Sequence, residues 1–124
     1  MSGVNHFFAF GAEFSVPTGK GTKMGAISEK GAEFLLRSRI ADAEAGDVDA
    51  LFELGLTYST GRGGIVVDLI EAHKWFNLAA LSGSTRGQEC RAEIACEMTA
   101  REIAEAQRQA RAWLATCGYG RRAA

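Results

Sequence analysis

The sequence predicts an all-α protein of antiparallel helix hairpins, about five helices in all, preceded by an arm that lacks regular structure. Three observations predict it. From position 28 onward, apolar residues recur at three- and four-residue spacing. Alanine is abundant and β-branched residues are few. The single proline, Pro17, precedes the helical patterns, so no proline interrupts them. At 124 residues, the chain is long enough for one domain but not for two comfortable ones.

The elements follow in order. Residues 1–27 are rich in glycine, hold Pro17 and four phenylalanines, and show no sustained period; they read as a disordered or loosely attached arm. The helical domain is expected over 28–120. Its first helix is EKGAEFLLRSRIADAEAG, weakened at its start by Gly31 and stopped by Gly46. A second helix over 49–59 carries the stripe Leu51, Leu54 and Tyr58. Gly55 interrupts it at a cost of ~1 kcal/mol relative to alanine, which close approach of another helix would offset.

A turn over 59–67 contains Gly61, Gly63 and Gly64. Asp68 then caps a third helix over 69–82, with Glu71 placed as in a capping box. Leu69, Ala72, Phe76 and Ala79 or Ala80 form one face, widened by Trp75, and Gly83 ends the helix. Cys90, Ile94 and Met98 support a helix over 85–97, although Gly87 weakens its start. Thr99 and Glu102 form a T-x-x-E capping box. The last helix, 100–117, carries Ile103, Ala106, Ala110, Trp113 and Leu114, with Arg101, Glu105, Arg108 and Arg111 among its polar positions. Gly118 and Gly120 close it.

Composition excludes little by itself. The net charge of -1 does not suggest nucleic acid or an acidic membrane as partner. The charge is uneven: residues 29–53 hold three bases against seven acids, and residues 101–124 hold five arginines against two glutamates. Solvated helix faces with a basic tail account for this. Three cysteines, Cys90, Cys96 and Cys117, form no disulfide-like framework and suit a reducing cytoplasm. The longest apolar run near the N-terminus, FFAF at 7–10, is too short for a signal peptide, and Ser2 excludes N-myristoylation. No stretch approaches a membrane span. A soluble cytoplasmic protein is expected.

Residues 46–83 resemble the Sel1-like repeat, a relative of the tetratricopeptide repeat. Gly46, Ala50, Leu54, Gly55, Tyr58, Gly61 and Gly63 match the first half of its pattern. Asp68, Ala72, Trp75, Phe76, Ala79, Ala80 and Gly83 match the second. GRGGIVVD is one residue longer than the usual loop, through an extra glycine near Gly64. The resemblance covers roughly a third of the chain. It implies a right-handed α-solenoid and an adaptor or scaffold role. A shift of 37 residues places Gly46 over Gly83 and Ala43 over Ala80, but little else repeats. The flanking helices are therefore expected to act as caps that cover the hairpin's two apolar faces.

Other chemistries fit less well. Gly19-Lys20-Gly21-Thr22 resembles a phosphate loop, but position 14 is Phe and position 21 is Gly where a Walker A motif needs Gly and Ser or Thr. Cys90, Cys96 and His73 have no zinc-knuckle spacing, and six residues on one helix set side chains about 120° apart; core thiols are the simpler reading. Glu71, His73 and Lys74 suggest a weak hydrolytic or ligand-binding role, yet Glu71 and His73 are two apart and do not face one another on a helix. No catalytic, metal or cofactor site is assigned. The expected function is an interaction module binding a protein or peptide, through Arg39, Asp42, Asp49 and Glu53 and the arm residues Phe7, Phe8, Phe10 and Phe14. Those phenylalanines either fold back over an open apolar surface or dock a partner. A subunit of a homo-oligomer is the structural alternative.

Overall fold

The computed structural model describes residues 29–117. Five helices follow one another: α1 (Glu29–Glu44), α2 (Val48–Thr60), α3 (Leu69–Leu81), α4 (Thr85–Ala95) and α5 (Ala100–Cys117). A single 3-10 turn, Arg62–Gly64, lies between α2 and α3, and no strand occurs among the described residues. The arm 1–27, with its phenylalanines and its phosphate-loop-like Gly19–Thr22 stretch, lies outside the described residues, as do Gly118 and Gly120.

Local signals set most boundaries. Gly46, with φ of 99°, lets the chain reverse after α1. Asp47 then caps α2, its Oδ1 accepting from the backbone N–H of Asp49 at 2.9 Å and Ala50 at 3.4 Å. At the other end of α2, Gly61 is left-handed and its N–H donates to the Thr57 carbonyl. Asp68 caps α3 through Ile70 N–H (3.0 Å) and Glu71 N–H (3.2 Å). Ser84 caps α4 through Gly87 N–H. The Thr99–Glu102 box is complete: Thr99 Oγ1 accepts from Glu102 N–H at 3.1 Å, and Glu102 Oε1 accepts from Thr99 N–H at 2.9 Å.

The box expected at Asp68 is only half formed. The Asp68 N–H donates instead to the Tyr58 carbonyl across the turn, at 2.9 Å. That bond ties the start of α3 to the end of α2 and leaves no donor for the Glu71 carboxylate to receive. Glu71 turns to Trp75 Nε1 and Lys74 Nζ, both 3.1 Å from its Oε1.

Packing radiates from α3, which touches α2, α4 and α5. α2 and α3 run antiparallel, as do α3 and α4. Gly55 and Phe52 of α2 meet Phe76 of α3, while the ends of the two helices join through Tyr58 and Asp68. On the next side, Asn77 accepts from Arg91 and Ala79 faces Gly87. α5 docks on α3 through Trp75 and Trp113, whose rings meet edge to face with centroids 4.7 Å apart. α1 lies on α2 and on the 3-10 turn.

Close approach is made where side chains are smallest. A Cβ built on Gly55 would fall 2.5 Å from Phe76 Cε1 and 2.9 Å from Cγ, inside the ring's contact surface. Gly87 plays the same part on α4, where a Cβ would lie 2.9 Å from the Ala79 Cβ and 3.2 Å from the Phe76 carbonyl oxygen. The core that results centres on Phe76, Leu51, Leu54, Leu78 and Ile94, all fully buried. Each contributes about 1.5–3 kcal/mol through removal of its side chain from water.

Candidate interaction surface

Most of the repeat-signature residues are used in packing. Ala50, Leu54, Gly55, Ala72, Trp75, Phe76 and Ala79 are buried, and Tyr58 and Ala80 are half-buried. Gly46, Gly61, Gly63 and Gly83 turn the chain, each with positive φ. Asp68 caps.

The polar positions behave differently. Asp42 and Asp49 are exposed on the α1–α2 side. Arg39 on α1 reaches Glu53 on α2, with 3.9 Å between Nη1 and Oε1. The same Oε1 accepts from Arg62 Nη1 at 2.8 Å. One carboxylate thus draws together guanidinium groups from α1 and from the 3-10 turn, all three side chains remaining partly open to water. Pairs this exposed contribute little to stability, typically about 0–1 kcal/mol. Arg62 has no recognisable signal in the sequence, because its partner Glu53 is nine residues away and is reached only when the turn folds back.

Glu71 and His73 are not brought together. Glu71 is occupied by Trp75 and Lys74. His73 is 3% exposed, and its Nδ1 has no hydrogen-bond partner among the described residues. Burial lowers its pKa below the usual 6.5, and the positive charge of Arg91 adds to the effect. Tyr58 is raised above 10.0, first by burial and then by the Glu71 and Asp68 carboxylates.

The cysteines divide by environment. Cys90 packs against the core, and burial pushes its thiol up to about 11. Cys96, expected as a core thiol, is exposed: its Sγ donates weakly to the Ala92 carbonyl at 3.6 Å on the outside of α4. The packed face of α4 is the one carrying Gly87, Cys90 and Ile94, and Cys96 points away from it. All three thiols are free, and among the described residues no group of His, Cys, Asp and Glu could hold a metal ion.

On α5, Glu105 accepts from Arg108 Nε at 3.0 Å and Nη2 at 2.7 Å, and from Gln109 at 2.8 Å. These hydrogen bonds, that of Arg108 first, hold the Glu105 carboxyl down to about 2. No helix of the described residues is long and apolar enough to cross a membrane.

The described residues define an all-α protein of five helices, with a cluster of paired charges, Arg39, Glu53 and Arg62, on its α1–α2 side. Comparison with known proteins adds no family to this: no protein-family model, curated protein or solved structure matches the chain.

Proposed function

We propose that the chain is a protein–protein interaction module of the Sel1-like repeat type, an adaptor or scaffold that acts in the cytoplasm and binds a protein or peptide. The observation that carries this reading is a division of labour. The signature residues of 46–83 are consumed by helix packing, while Arg39, Asp42, Asp49 and Glu53 stand at the surface on two adjacent helices. An array of this kind recognises a partner of complementary charge and adds specificity more than raw affinity. The three free thiols agree with a reducing compartment.

The test is affinity capture with crosslinking, using the full chain as bait beside a variant carrying Arg39→Glu and Asp49→Lys. A protein recovered repeatedly by the native chain and lost with the variant, at unchanged helicity, supports the reading. Recovery of no protein above background would overturn it.

A further inference from the structure

The first helix has two faces of opposite character. Ala32, Leu36, Ile40 and Ala43 turn inward, buried or half-buried against α2 and the 3-10 turn. The opposite side carries Phe34, which is 69% exposed, and beside it Leu35, which is 45% exposed. A phenylalanine set on the outermost helix of a stack is an open apolar end, and stacked-helix proteins close such ends with a cap. Beside it, Glu33 and Arg37 pair with each other across one turn, at 3.8 Å.

We propose that the phenylalanine-bearing segment 7–14 of this same chain packs on the outer face of α1, around Phe34 and Leu35, and closes that end of the stack. Three features favour this occupant. First, its chemistry matches. Residues 1–19 contain Phe7, Phe8, Phe10 and Phe14, and Glu13 is their only carboxylate, with no lysine or arginine among them. Second, it starts from the right place. The chain enters α1 at Glu29, and Phe34 lies in the second turn of that helix. The connection from Phe14 to Glu29 spans at most about 50 Å. α1, with 16 residues, is about 24 Å long, so every point on its outer face is within reach. Third, the segment is covalently tethered. A short tether holds its end at an effective concentration in the mM range, so a second copy of the chain competes poorly at ordinary concentrations.

The experiment places a benzophenone photocrosslinker at position 34 of the full chain, as Phe34→p-benzoylphenylalanine, and a control crosslinker at the exposed Gln107 of α5. Isotopically light and heavy chains are mixed before irradiation. Trypsin releases residues 1–20 as one peptide, because Lys20 is the first basic cleavage site. The expected result is a crosslink from position 34 to peptide 1–20 within one chain, absent from position 107. It is lost when Phe7, Phe8, Phe10 and Phe14 are all changed to Ser, substitutions that leave residues 29–117 intact. A light–heavy crosslink at position 34 would assign the face to a second copy and overturn the proposal. So would the absence of any crosslink to peptide 1–20, or a crosslink that survives the serine substitutions.

Discussion

The packing of α2 against α3 makes Gly55→Ala a sharp test, because two opposing effects can be weighed. Alanine is the better helix former by about 1 kcal/mol, and Gly55 sits inside α2, so propensity alone predicts a stabilised protein. The added Cβ, however, would fall 2.5 Å from Phe76 Cε1 and 2.9 Å from its Cγ. Phe76 is fully buried within the close-packed core, so it has little room to retreat. Forcing an extra carbon into a packed core costs typically 1–3 kcal/mol, and an overlap with the ring itself belongs at the upper end. The net expectation is a loss of about 2 kcal/mol, or roughly 8–16 °C in Tm for a domain of this size. Thermal and urea unfolding followed by far-ultraviolet circular dichroism measures it. A double mutant adding Phe76→Leu should recover part of the loss beyond additivity, since it removes the obstructing ring edge. A Gly55→Ala chain as stable as the native one, or more so, would refute the close-approach argument.

Three further outcomes follow from the same packing. Because the pKa of His73 is depressed below 6.5 in the folded chain, the unfolded chain binds more protons on acidification; the contribution of His73 to stability is present above pH 6.5 and is lost as the pH falls from there through its lowered folded value. His73→Gln should flatten this dependence in unfolding curves taken from pH 7.5 to 5, and identical slopes for the two chains would exclude His73 as its source. Thr99→Ala removes one half of the α5 capping box and should cost about 1 kcal/mol, with Thr99→Ser close to native, as measured by urea unfolding. Under native conditions a disulfide reagent should label the exposed Cys96 well before Cys90, whose thiol is raised to about 11; equal rates in peptide mapping would contradict the burial of Cys90.

Much of this architecture is legible in the chain itself. Helix existence, the caps at Asp68 and Thr99, the stops at Gly46 and Gly83, and the need for a close neighbour at Gly55 are read correctly, because each depends on residues within about one turn of one another. The core is read less completely. Phe52, Leu78 and His73 are buried although no single apolar stripe predicts them. A stripe assumes one covered face, whereas α2 lies between α1 and α3, and α3 is covered by α2, α4 and α5 together. Gly87 reads as a weak helix start, but its bare Cα is what admits Ala79.

Of the candidate surface, Arg39 and Glu53 were identifiable as polar positions on successive helices, but their union with Arg62 was not. That cluster needs the 61–67 turn to fold back along α2, a geometry that no periodicity encodes. The same holds for Glu71. Its position three residues after a capping Asp predicts a reciprocal box, and only the Tyr58 carbonyl, brought in by the hairpin, diverts the Asp68 N–H and frees Glu71 for Trp75. Sequence by itself determined where the helices begin and end, since capping and helical spacing are local. Tertiary structure decided which faces are buried, which polar groups pair and which cysteine is shielded, since these depend on how many neighbours surround each helix and how closely they approach.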